Sequence, residues 1–117
     1  MPPMDLAYIG RLCKGDTGRM AEYIALYLQE APDLFGDLQA RAAAGDAELL
    51  ARAAHALHPH VHYVGDAPLC ALLREVEQLA RAEGAAACAP DVATCLAMHR
   101  QLMQALRQWM AAHAANG

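Results

Sequence analysis

Four histidines crowd one short stretch, AAHALHPHVHYVG at residues 53–65: His55, His58, His60 and His62, with Pro59 among them. Imidazole changes charge near physiological pH, so such residues serve as metal ligands, acid–base groups or nucleophiles. Two or three of them on one helix face suit zinc or copper. Histidines are also favoured near a helix C-terminus simply because they complement the dipole. Which reading holds depends on where the helix directs each ring.

On a helical wheel at about 100° per residue, Leu49, Leu50, Ala53, Leu57, Val61 and Val64 share a sector roughly 120° wide, the expected core face. His55 lies almost opposite the centre of that sector. His58, Pro59 and His62 gather on the same outer side, whereas His60 falls inward, toward the core margin. Ala51, one turn before His55, is placed on the outer face, leaving the imidazole open to another protein. Pro59 removes a helical hydrogen bond and crowds the carbonyl of residue 55, at a cost of about 3 kcal/mol. Either the helix bends there or its regular part ends near His58.

The elements that carry this stretch follow from the punctuation. Met4 to Cys13 reads as a short first helix, stopped at Lys14-Gly15. Asp16 or Thr17 caps a second, with Met20, Ile24, Tyr27 and Leu28 on its apolar face. Pro32 predicts a kink or short break, after which Leu34, Leu38 and Ala42 resume the stripe as far as Gly45. Asp46 caps the histidine helix, which Gly65 ends. Asp66 caps a fourth helix reaching Glu83, with Pro68 in its first turn and a core face of Leu69, Leu72, Leu73, Val76, Leu79 and Ala80. Pro90 and Asp91 open the last, through about His113, with Leu96, Met103, Leu106 and Met110 inward. His99 and His113 fall on its inner side as packing histidines, and Trp109 and the methionines read as core. No period-2 segment competes. Short connections between amphipathic helices make neighbours antiparallel, so the expected fold is all-α: an up-and-down four-helix bundle with an additional short N-terminal helix, one domain over residues 1–117.

Composition narrows the partners. The formal charge is −4 with no lysine/arginine stripe, which argues against nucleic acid or an anionic membrane surface. No run approaches eighteen apolar residues, and MPPMDLAYIG lacks the layout of a secretory signal. Cys13, Cys70, Cys88 and Cys95 show no C-x-x-C spacing and read as reduced, buried thiols of a cytoplasmic protein. Neither G-x-x-x-x-G-K-[ST] nor a kinase signature is present.

Ala54-His55-Ala56-Leu57, followed by Val64-Gly65, resembles the A-H-x-L-K-G-x-x-x-x-[LI]-G motif of the histidine-containing phosphotransfer (HPt) domain family. Gly15-Asp16 before the second helix, Gly45-Asp46 before the histidine helix and the Leu69–Arg81 segment are similar to the layout of that family over nearly the whole chain. The resemblance implies a stand-alone carrier that relays phosphoryl groups between response-regulator receiver domains, with a hybrid sensor kinase as a further partner. It implies no kinase or ATP site, and no cofactor of its own, the receiver supplying magnesium. His55 is then the phosphoacceptor. Glu77 stands where the family often has a Glu or Gln that orients the histidine; on its own wheel it lies about 100° from the core centre, able to reach a neighbouring helix. Ala51, Arg52, His58, Pro59 and His62 form the expected docking surface of a monomeric protein.

The frame departs from the family at two places. His58 stands where Lys is usual, and Pro59 where Gly is common. These changes keep a second reading open, an adaptor that binds receivers without taking phosphate. A third, a metal site from His55, His58 and His62 at i, i+3 and i+7, lacks an acidic or cysteine ligand at matching spacing.

Overall fold

A computed structural model describes residues 2–114 of the chain. Five α-helices follow one another: α1, Ala7–Leu12; α2, Thr17–Ala44; α3, Ala47–Tyr63; α4, Ala67–Glu83; and α5, Ala89–Ala114, entered through a 3-10 turn at Ala85–Cys88. There is no strand among the described residues. Helix α3 packs on α4 and α2, α2 on α5, and α4 on α5, closing an antiparallel four-helix bundle with α1 against α2.

The helix starts arise from one repeated device. Asp16, Asp46 and Asp66 each cap the helix that follows, their carboxylates accepting from the N–H of Arg19, Leu49 and Leu69 at 3.1, 3.0 and 3.1 Å. A glycine precedes each cap. At Gly45 (φ 75°) the left-handed backbone closes α2 and releases the chain for the next cap. Gly65 also takes φ 75°, and here space matters too: its carbonyl accepts from Asp5 N–H at 2.9 Å, and a Cβ would collide with the Asp5 carbonyl. The N-terminal segment is thereby fastened beside the end of α3. Asp5 also accepts from Ala7 N–H at 2.9 Å, so α1 begins later than Met4, with Met4 only partly buried.

Both internal prolines are carried without interruption. The break expected at Pro32 does not occur, because Ala31, Phe35 and Leu38 on either side of it are buried in the core. Helix α3 likewise continues through Pro59 to Tyr63, so of the two expectations there, a bend or an end near His58, the end does not occur. Val61 and Val64 beyond the proline are fully buried. Burying two such side chains contributes ~1.5–3 kcal/mol each, enough to offset the roughly 3 kcal/mol cost of an internal proline.

The core joins Leu50, Leu57 and Val61 of α3 to Ile24, Phe35 and Leu38 of α2, Leu69, Leu73 and Val76 of α4, and Leu102 and Leu106 of α5. All four cysteines are free and buried. Burial raises the thiols of Cys70 and Cys88, and that of Cys95 up to about 12, which keeps them protonated and poor nucleophiles. His99 stacks on Phe35 with ring centroids 4.0 Å apart, but its buried Nδ1 has no hydrogen-bond partner among the described residues, so it is packed without being satisfied. His113 is exposed rather than inward-facing: in the last turn, past the core, its ring stacks on Trp109 and its Nδ1 donates to the Trp109 carbonyl at 2.8 Å. Trp109 is partly buried against the core. Met1 lies outside the described residues.

Candidate functional site

The close pairing of α3 with α4 builds the site. Burial on α3 spreads farther round the helix than a 120° sector. Ala51, expected on the docking surface, is therefore wholly buried at 0% exposure, as is Ala54. Their methyl groups are small enough to let α4 come close, and Ala51 contributes packing instead of docking surface. Just outside this seam His55 emerges, its side chain 75% exposed.

Proximity of the two helices brings Glu77 of α4 to that imidazole, with His55 Nδ1 3.1 Å from Oε1 and 3.3 Å from Oε2. A carboxylate only accepts, so Nδ1 carries the proton and donates. In the neutral ring Nε2 then bears the lone pair, and it makes no hydrogen bond among the described residues. The geometry presents a basic nitrogen to solvent with its opposite N–H held by an anion.

Two further residues complete the surroundings of Glu77, neither of them anticipated. Arg81 Nη1 donates to the same Oε1 at 2.9 Å. Its Nη2 and Nε reach Glu48 of α3 at 3.5 Å each, and Glu48 also accepts from Arg52 Nε at 3.3 Å. Arg81 above all, then Arg52, holds the Glu48 carboxyl below its ordinary range. The signal for both was present in the spacing: Arg81 follows Glu77 by one turn, and Glu48 precedes His55 by two.

The other histidines take separate roles. His58 is half-buried, and burial first, then the charges of Arg74, His62 and His55, lowers its pKa, so it is neutral at pH 7. His62 is exposed, stacked with His58 at 6.3 Å and tilted against Tyr8 of α1 at 4.8 Å. His60 is half-buried on the far flank, lining a small cleft together with Tyr27 and Tyr63. Pro59 and Arg52 are exposed. Beside His58 and His62 an open groove of ≈510 Å³ runs between α1 and the α3–α4 corner, with Tyr8, Arg11 and Arg74 along it. With His55 engaged by Glu77 and the rings of His58 and His62 lying parallel, the histidines do not converge; no metal-holding group of three His, Cys, Asp or Glu occurs among the described residues. Among the described residues no helix is long and apolar enough to cross a membrane.

Among solved structures, the chain is similar to the crystal structure of the HPT domain from the Hpt sensor hybrid histidine kinase from Shewanella. The TM-score is 0.80 at 17% identity, over 93% of this chain and 94% of that one, which is a likeness of fold. No curated protein matches the sequence. The family model for the Hpt domain matches residues 22–113, from the first turns of α2 to the end of α5. That match spans all four helices of the bundle, so the chain belongs to the Hpt domain family, the phosphotransfer modules of two-component signalling.

Proposed function

We propose that His55 accepts a phosphoryl group from the aspartyl-phosphate of a response-regulator receiver domain and passes it to a second receiver. The lone pair of Nε2 attacks phosphorus as the bond to the aspartyl oxygen breaks, and the aspartate leaves as a carboxylate. The ring gains a positive charge when Nε2 is phosphorylated, and the Glu77 carboxylate on Nδ1–H lies where it offsets that charge. The receiver supplies magnesium and most of the charge stabilisation; this chain supplies an exposed, oriented nucleophile. It acts as a cytoplasmic phosphocarrier with no kinase activity of its own. The observation that carries this reading is the pairing of an exposed imidazole with a carboxylate on its inner nitrogen.

One observation favours a second reading. The position after Leu57 holds a half-buried, neutral histidine and the next an exposed proline, in place of a long cation and a small residue. An adaptor that docks receivers without accepting phosphate would tolerate both. Incubation with a panel of phosphorylated receivers separates the two. Acid-labile phosphate that appears on the protein and is lost in His55→Gln supports the relay; receivers that bind normally yet transfer nothing establish the adaptor.

A further inference from the structure

Oε1 of Glu77 is shared between two donors. It accepts from His55 Nδ1 at 3.1 Å and from Arg81 Nη1 at 2.9 Å. Arg81 stands one turn beyond Glu77 on α4, the favourable order for an acid–base pair on a helix. Its guanidinium also spans to α3, where both oxygens of Glu48 lie at 3.5 Å. Glu48 is two turns before His55 on the same helix. A four-residue chain of contacts, His55–Glu77–Arg81–Glu48, thus starts on α3, crosses to α4 and returns to α3.

The Glu77 side chain has three rotatable bonds and lies at the rim of the helix pair. Nothing in His55 alone selects the rotamer that meets Nδ1. A planar guanidinium with one donor on Glu77 and others on Glu48 does select it, since it holds the same carboxylate oxygen that meets Nδ1. The side chain of Arg81 is 47% exposed, so the ion pairs themselves add little to stability. Their effect is geometric.

We propose that Arg81 is a positioning residue for His55, acting through Glu77. It holds the carboxylate in the orientation that keeps the proton on Nδ1 and leaves Nε2 as the nucleophile, with Glu48 as its anchor on α3. This deepens the reading of His55 as phosphoacceptor and rests on it for the kinetic consequence only.

The test uses the full chain and its Arg81→Gln and Arg81→Lys variants, alone and with Glu77→Ala. Phosphoryl transfer from a phosphorylated receiver is followed together with nitrogen NMR of the His55 ring, which reports which nitrogen is protonated. In Arg81→Gln the maximal transfer rate falls roughly fivefold to tenfold, well inside the ~10²-fold that a misplaced reacting group costs. The receiver concentration at half-saturation is unchanged, and the share of rings with the proton on Nε2 rises. Arg81→Lys lies between, because one ammonium reaches Glu77 but does not fork to Glu48. With Glu77→Ala in place, Arg81→Gln has no further effect on rate or ring protonation. An equal loss in the Glu77→Ala background, or an unchanged ring signal in Arg81→Gln, overturns the proposal. The ring signal needs no phosphate, so it decides the role of Arg81 even if His55 takes no label; absence of label on the unaltered protein counts against the phosphoacceptor reading alone.

Discussion

His55 and Glu77 are separated by 22 residues of sequence and by 3.1 Å in space, one on α3 and one on α4, meeting above a seam of buried alanines. The distance depends on how closely the two helices pack, and the direction of the hydrogen bond on a carboxylate having no proton to give. Glu77→Ala therefore releases the ring without opening the core. Transfer from a phosphorylated receiver is expected to slow by about 10- to 100-fold. Receiver affinity, measured by titration calorimetry, stays within about twofold, as Glu77 lies under the imidazole and is only 19% exposed.

His58 tests the unusual frame. Its lowered pKa leaves it uncharged at pH 7.5, so it offers the phosphoryl oxygens no full positive charge. His58→Lys restores one on a longer, flexible stem. A charge-assisted contact worth about 1 kcal/mol speeds transfer roughly fivefold at that pH. Acidification raises the rate of the unaltered protein relative to the lysine variant, because His58 gains its charge only below its depressed pKa. Stopped-flow transfer assays in a series from pH 7.5 downward read both effects.

Gly65 carries a packing constraint as well as a left-handed backbone. A methyl group there meets the Asp5 carbonyl and disturbs the Asp5–Gly65 hydrogen bond. Gly65→Ala should lose about 2–4 kcal/mol in urea unfolding. Gly36, exposed in the middle of α2 with open space around its Cβ position, gives the opposite result. Gly36→Ala is expected to gain about 0.5–1 kcal/mol from the helix propensity of alanine.

His99 makes stability depend on pH. Desolvation first, then the charges of Arg100 and Arg107, lowers its pKa from 6.5 to about 4, while Phe35 covers its face. As pH falls through this interval the unfolded chain takes up the proton before the folded one does, so stability declines between about pH 6.5 and about pH 4. The full shift corresponds to about 3 kcal/mol, and partial exposure of the ring reduces the expected loss to about 1–2 kcal/mol. His99→Phe keeps the stacking and removes the titration, so the drop in unfolding free energy from pH 7.5 to pH 4.5 is smaller by that amount.

The local elements were legible because their causes are local. Three Gly-Asp pairs set the starts of α2, α3 and α4, and a 3.6-residue apolar rhythm named most of the core and placed His55 outside it. Resemblance to a family motif singled out Glu77. Tertiary packing decided the rest. A wheel for one helix knows nothing of its neighbours, so Ala51 was assigned to the surface although it is wholly buried in the bundle. Proline's local cost predicted a kink or short break at Pro32 and a bend or an end at Pro59; burial of Phe35, Leu38, Val61 and Val64 keeps both helices continuous through these positions. The link from Arg81 through Glu77 to His55, and back to α3 at Glu48, exists only once α3 and α4 lie side by side. What the sequence alone determined is the helices and the exposed histidine; which carboxylate and which guanidinium stand behind it is set by the packing of α4 against α3, which no single-helix pattern contains.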